Sequence, residues 1–254
     1  MDYCDLHNHS NFSDGDLTIK EIAKRARKQG FALGIADHLS PYHHLRGDEA
    51  VLTYIDQIHR VGAFAGCELD LGERIPCSLS VLQQMDYIIG GLHSIQDFRG
   101  LSYFFFGKVE SLTHQEEFMR TILKALEIYV RDAPIDILAH PTFITAFVNL
   151  TPREAWTPAR RRRLIKIVLE HGVALEISNR WQVPDELFLT EALSAGCTFT
   201  MGSDGHHSHD VVNLDYPVQI AQKLGISEER FFVPGVKPKR LDRELARINQ
   251  GIAG

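Results

Sequence analysis

Seven times along this chain, a short apolar run is followed after a polar break by a segment whose apolar residues recur at helical spacing. Runs of that kind read as buried parallel strands, and their alternation with amphipathic helices restricts the chain to α/β architectures. The strand runs are Tyr3–His7, Phe31–Ala36, Ala63–Glu68, Tyr87–Leu92, Ile135–Ala139, Val173–Ile177 and Thr198–Gly202. The helical segments are Thr18–Gln29, Glu49–Arg60, Ser78–Gln84, Glu116–Tyr129, Thr157–His171, Asp185–Ala195 and Asp210–Leu224. Ile19, Ile22, Ala23 and Ala26 share one face of the first helix, and Phe118, Ile122, Leu126 and Tyr129 share one face of the fourth. Seven strand–helix units with short connections predict a parallel sheet closed into a barrel. An open doubly wound sheet is the alternative, but it gathers functional groups at a single switch point.

The ends of the apolar runs carry the chemistry. His7, His9, Asp14, His38, Glu68, His93, His140, Asp204 and His206 nearly all fall where a run stops. Strand C-termini form the face on which α/β barrels build active sites. In His7-Asn8-His9, residues two apart on an extended chain point the same way, so both imidazoles can reach one ion. Asp204-Gly205-His206 repeats that spacing after the seventh strand, which barrel closure sets beside the first. The two carboxylate oxygens of Glu68 suit a bridge between two ions. A single histidine at a strand end is usually a hydrogen-bonding residue; the joint pattern is what points to metal. Mixed nitrogen and oxygen ligation without cysteine favours Zn, Mn or Fe over Mg or a structural zinc site.

The ordered motifs DLHNHSNFSDG, IADH, GCELD, GGLHS, LAHP, LEIS and GSDGH resemble those of the polymerase-and-histidinol-phosphatase (PHP) superfamily, from Asp5 to His206. The resemblance implies a distorted (β/α)7 TIM-like barrel and two or three catalytic divalent ions. It also implies hydrolysis of phosphate esters by metal-bound hydroxide at a trinuclear site. By position, His7, His9, Glu68 and Asp204 resemble ligands of a first metal, and Glu68, His93 and His140 those of a second. Asp14, His38 and His206 resemble those of a third. Some members carry His where this chain has Asp14, and a carboxylate there makes the third site harder. The expected activity is that of a phosphatase on a small phosphate monoester, resembling histidinol or nucleotide phosphatases. A nuclease or phosphodiesterase on short nucleic acids, and an amidohydrolase-type reaction at a carbon centre, are the enzymatic alternatives. A binding or regulatory module would be expected to lack part of this ligand set.

Other residues are assigned from position. Arg180, in LEISNRW, is the candidate clamp for phosphate oxygens, with a surface pair to Asp185 or Glu186 as its alternative. Arg46, Arg99 and Lys108 are weaker candidates on the same face. His43, His44, His207 and His209 flank ligands as solvated loop residues, one of which could protonate a leaving oxygen. Asp5 and Asp37 are expected to orient ligand imidazoles. The run Arg160-Arg161-Arg162-Arg163 opposes a helix N-terminus and is expected to be a solvated surface rather than a polyanion site.

The 254 residues, 44% hydrophobic, suffice for one barrel domain over 1–254, with a ligand-bearing core of about 3–225 and a polar peripheral tail over about 237–254. A formal charge of −6 disfavours a general nucleic-acid surface, although bound cations would make the site itself positive. Cys4, Cys67, Cys77 and Cys197 form no C-x-x-C pair, and three of them lie in or beside predicted strands and read as small buried residues rather than disulfides. No apolar run approaches the roughly 20 residues of a membrane span, and no leader pattern is present, so a cytoplasmic location is expected. Two loops, Ser94–Gln115 and Pro141–Thr157, should overhang the site, either as lids or as hydrophobic plugs; with Ser40–Asp48 they are expected to govern specificity.

Overall fold

A computed structural model of the chain describes residues 3–96, 100–107, 112 and 114–252. Its strands are β1 (Cys4–Asp5), β2 (Ala32–Leu39), β3 (Phe64–Asp70), β4 (Tyr87–Gly91), β5 (Ser94–Gln96), β6 (Ser102–Phe104), β7 (Ile137–Leu138), β8 (Ala174–Ser178) and β9 (Phe199–Gly202). Seven of them close a parallel barrel in the order β1-β2-β3-β4-β7-β8-β9, sealed where Asp5 pairs with Met201. The open-sheet alternative is thereby excluded. β5 and β6 form a separate antiparallel hairpin over the barrel mouth, inside the first of the two long loops. The helices are α1 (Ile19–Gln29), α2 (Asp48–Arg60), α3 (Leu79–Leu82), α4 (Gln115–Asp132), α5 (Pro152–Ala155), α6 (Pro158–His171), α7 (Glu186–Ala195), α8 (Asp215–Leu224) and α9 (Arg240–Ile252). None is long and apolar enough to cross a membrane, among the described residues.

Local chemistry accounts for the helix ends. Thr18 accepts the Glu21 N–H while Glu21 returns to the Thr18 backbone, a reciprocal cap that Thr151 and Glu154 repeat at α5. Gly30, Gly172, Gly196 and Gly225 adopt the left-handed conformation after α1, α6, α7 and α8.

The strands divide the core in two. Ile35, Leu39, Cys67, Leu69, Leu175, Ile177, Phe199 and Met201 point out and pack under the helices. Leu6, Ala36, Tyr87, Ile89, Ile137, Ala139 and Ala174 fill the barrel itself. Tyr87 dominates that interior and donates its hydroxyl to Leu6 O at 2.6 Å. Its ring has room because Gly34 and Gly66 face it: a Cβ on either would overlap the phenol. With period two along each strand, the inward positions above Gly66 and Ala174 are Glu68 and Glu176, so packing at the base of the barrel places charge at its mouth.

Two features differ from expectation. The polar stretch after residue 237 includes α9, whose first turn docks on the barrel wall. Arg240 is buried, donating to Val130 O, Arg131 O and Glu244, while its N–H donates to Asp136. The arginine run is only partly a solvated surface. Arg160 is buried on Ala155 O and Glu116, and Arg161 forks onto Glu191 and reaches Trp156 O. These pairs tie α6 to α4 and α7, and they offset the charge at the helix start. The four cysteines are free thiols.

Candidate metal centre

All nine candidate ligands converge at the C-terminal mouth of the barrel. His7 and His9 extend beyond β1, where Asn8 bridges to Gly205 and brings the two ends of the barrel together. His38 and Glu68 are register partners on β2 and β3. His93 follows β4, His140 follows β7, and Asp204 and His206 follow β9. His140 and Asp204 hold positive φ angles of 29° and 52°, an unfavourable conformation that their surroundings must enforce.

Glu68 is the hub. Its Oε2 lies 3.3 Å from His7 Nε2, 3.6 Å from His9 Nε2 and 3.1 Å from His38 Nδ1. Its Oε1 lies 3.2 Å from His93 Nε2 and 3.4 Å from His140 Nε2. The two oxygens therefore face separate donor groups. Three sets have ligand atoms close enough to share one ion: His7, His9 and Asp204; His38, Glu68 and His93; and His9, Asp14, His38 and His206. His9 thus joins the set built around Asp14, and His38 also approaches Glu68, so the sets overlap more than the motif resemblance implies. His7 and His9 present their Nε2 atoms 3.1 Å apart, as the H-x-H spacing predicts.

The donor set fits divalent cations. Glu68 Oε1 and His38 Nδ1 are buried without a hydrogen-bond partner among the described residues. A buried acceptor in that condition is costly unless something else satisfies it. Glu68 is wholly buried, which raises a carboxyl, but His93, His7 and His38 hold it well below the usual range. Burial, helped by His38 and His206, pushes His9 down to about 3, leaving a neutral imidazole ready to donate a lone pair. His93 goes the other way: burial lowers it, but Glu68 and Asp70 outweigh burial and raise it to about 10. A cation arriving at His93 must displace that proton.

Two carboxylates not singled out in the sequence orient the ligands. Glu176 accepts from His7 Nδ1 at 2.6 Å and from the His140 N–H at 2.6 Å, so one side chain serves both oxygens of the Glu68 hub. Asp70 accepts from His93 Nδ1 at 2.6 Å. The bonds from His7 Nδ1 and His93 Nδ1 favour the tautomer that leaves Nε2 free toward Glu68 once each ring is neutral. The signal was available: Glu176 interrupts the apolar run ALEIS at an inward position, and Asp70 lies two residues beyond Glu68. Trp181 was also missed, and its indole N–H donates to Asp204 Oδ2 at 2.6 Å.

Asp5 and Asp37, expected to orient imidazoles, instead hold backbone. Asp5 accepts from the His7 and Ser203 N–H groups, and Asp37 gathers the Ser10 and Ser13 amides and hydroxyls. Among the described residues neither carboxylate is bonded to an imidazole ring. Arg180 lies at the rim of the cluster, with Nη1 3.2 Å from Asp204 O and 2.9 Å from His206 Nδ1. The surface partners expected for it are engaged elsewhere, Asp185 capping α7 and Glu186 pairing with Lys223, and its carboxylate partner is instead Asp210, 3.5 Å from Nη1. Arg46 is exposed and bonded to Pro41 O, while Arg99 and Lys108 lie outside the described residues. His43 stacks on His38 with centroids 4.5 Å apart, His44 is exposed, His207 pairs with Asp16, and His209 stacks on His207.

In the hairpin loop, Tyr103 and Phe105 are buried beside Phe118, whereas Phe104 and Phe106 are exposed. The segment is thus part plug and part rim. Phe98 lies outside the described residues.

This is a closed parallel α/β barrel whose mouth gathers histidines and carboxylates in a form suited to several divalent cations. The family model described as the PHP domain matches residues 5–180, and the chain belongs to that family. Among solved structures, histidinol phosphate phosphatase of Lactococcus lactis subsp. lactis Il1403, complexed with zinc, L-histidinol and phosphate, superposes with a TM-score of 0.68. It is 18% identical and covers 94% of this chain and 97% of its own. Among curated relatives, a DNA polymerase/3'-5' exonuclease, PolX of Bacillus subtilis (strain 168), is 26% identical over 86% of this chain. The chain spans 37% of that protein's length. A protein named as a probable phosphatase, from Edwardsiella ictaluri (strain 93-146), is 24% identical over 93% of this chain and 91% of its own.

Proposed function

We propose that the chain is a metal-dependent phosphatase that hydrolyses a small phosphate monoester. The observation that carries this reading is the buried Glu68 carboxylate, whose two oxygens face His7, His9 and His38 on one side and His93 and His140 on the other. His7, His9, Glu68 and Asp204 would hold one Zn, Mn or Fe ion, and Glu68, His93 and His140 a second. Asp14, His38 and His206, with His9 close by, would hold a third. When bound, such ions acidify a water to serve as nucleophile and neutralise phosphate oxygens. The protein's own part is positioning. Glu176 and Asp70 hold His7 and His93 in the ligating tautomer, and Trp181 fixes the Asp204 carboxylate. Arg180 offers a fork of donors at the edge of the cluster, suited to two non-bridging phosphate oxygens. The phosphate in the Lactococcus neighbour's structure and the near full-length likeness to the Edwardsiella protein support the reading.

A second reading, hydrolysis of phosphodiesters in short nucleic acids, draws on the likeness to PolX and on Phe104 and Phe106 at the rim, which suit base stacking. Turnover of p-nitrophenyl phosphate and bis-p-nitrophenyl phosphate with Zn, Mn and Fe separates the two. Monoester turnover that disappears on chelation and in Glu68→Ala is expected. Undiminished turnover by Glu68→Ala would refute the proposal, and diester turnover with steep salt dependence would favour the second reading.

A further inference from the structure

Beside the cluster, beyond Trp181, lies a cleft of about 410 Å³ to which no role has yet been given. Phe143, Ile144, Trp156, Trp181, Val183 and Phe188 form most of its wall. It joins the metal centre through shared residues. Trp181 donates to Asp204, and the Phe143 ring meets that of the candidate ligand His140 at 6.1 Å, edge to face. Phe106 covers the junction, stacked on Trp181 at 5.6 Å and tilted against Phe143 at 5.5 Å and His93 at 5.6 Å. Trp181 and Phe143 stand 4.4 Å apart, and the Arg180 guanidinium lies 5.3 Å from the same indole.

The charged groups in the cleft are already committed. Arg161 forks onto Glu191, and Asp185 accepts the Phe188 N–H at the start of α7. Arg161 is neutralised by Glu191 and the rest of the wall is mainly aromatic and apolar, so the cleft favours a neutral occupant. Gln182, exposed at its edge, offers an amide that can both donate and accept. On the opposite side of Phe106, a cleft lined by Asp14, Asp70 and Glu73 is acidic, and its aromatic side chains Tyr42, Phe104 and Phe106 are all exposed.

We infer that the cleft beyond Trp181 is the subsite for the leaving group of the phosphate ester, and that it selects a neutral, planar aromatic or heteroaromatic group. This deepens the phosphatase reading and rests on it. The phosphoryl end lies over the cluster beside Arg180, while the ring lies in the cleft against Trp181 and Phe143. The indole is fixed by its bond to Asp204, so the stacking surface is organised before substrate arrives. The volume falls within the range of small-molecule sites and admits a bicyclic ring.

The chain's two tryptophans, Trp156 and Trp181, both line this cleft, so intrinsic fluorescence reports its occupancy without turnover. The test titrates metal-loaded protein with (1-naphthyl)methylphosphonate and with methylphosphonate. It then compares kcat/KM for 1-naphthyl phosphate and glycerol 3-phosphate in the wild type and in Ile144→Phe, which fills the cleft without touching a candidate ligand. Naphthyl binding about tenfold tighter is expected, with a kcat/KM ratio favouring the aryl ester that falls about tenfold in the variant. Equal quenching midpoints, or an unchanged ratio in Ile144→Phe, would overturn the inference. If neither ester is hydrolysed, the phosphatase reading fails, while the fluorescence arm still decides whether the cleft prefers a ring.

Discussion

Changing Glu176 to glutamine separates orientation of the ligands from simple support of the fold. The carboxylate accepts two hydrogen bonds of 2.6 Å, one from His7 Nδ1 and one from the His140 amide, both buried. Alanine leaves both donors unmet, at about 1–3 kcal/mol each. The cation-free protein should then lose about 4 kcal/mol and melt roughly 8–16 °C lower. Glutamine keeps the volume but has only one carbonyl oxygen for two donors. If that oxygen serves His140, the amide NH2 faces His7 Nδ1, which can accept only by moving the imidazole proton to Nε2. That nitrogen is the one 3.3 Å from Glu68 and 3.1 Å from His9, and it would then have no lone pair for a cation. Glu176→Gln should therefore melt within a few degrees of wild type in chelator, yet bind Zn or Mn about 10–100-fold more weakly, or about 1.4–2.7 kcal/mol. Competition against a chromophoric chelator measures the affinity, and thermal melts in EDTA measure the fold. Wild-type affinity in a folded Glu176→Gln protein would show that His7 does not depend on this bond, and the reasoning fails.

Three further outcomes follow from the same geometry. Gly202→Ala places a Cβ onto Glu176 Oε1 and 2.7 Å from His7 Cβ, so it should cost about 1–3 kcal/mol and lower metal affinity, read by denaturation and elemental analysis. Arg240→Ala removes the bonds to Val130 O and Arg131 O of α4 and to Glu244 within α9. Urea denaturation should show a loss of about 2–4 kcal/mol with metal stoichiometry unaltered; loss of metal would mean that α9 reaches the site. Arg180→Ala should raise KM for a phosphate monoester about tenfold or more while metal content stays constant, and an unaffected KM would remove Arg180 from the phosphate site.

Much of this arrangement could be read locally. The strand runs were located to within a few residues, although β1 and β7 proved shorter than their apolar runs, each only two residues long. The remainder of those runs still bonds to the neighbouring strands, Leu6 N–H to Met201 O and Ala139 N–H to Gly90 O among them, before the chain turns into the loops that carry His9 and His140. The arginine run and α9 were misjudged for one reason. Composition shows a polar residue's preference for water but not the partner that lets it be buried, and Glu191, Glu116 and the carbonyls of Val130 and Arg131 come from other helices. Asp5 and Asp37 were judged by closeness in sequence to a histidine, whereas their oxygens are taken up largely by groups remote in sequence, Ser203 for Asp5 and Ser10 and Ser13 for Asp37.

By itself, the sequence determined the fold and the chemical character of the mouth. In a parallel barrel, chain direction sets which end of each strand is C-terminal, and period two sets which residues face inward, so a ligand's place can be read from its own segment. Only the tertiary structure decided how those groups act on one another. The partner of His7 is Glu176, 169 residues away, and the wall beside Asp204 is Trp181. Such pairings depend on barrel closure, on the register between strands and on the space a glycine leaves at Gly202. None of these is a property of a local stretch of chain.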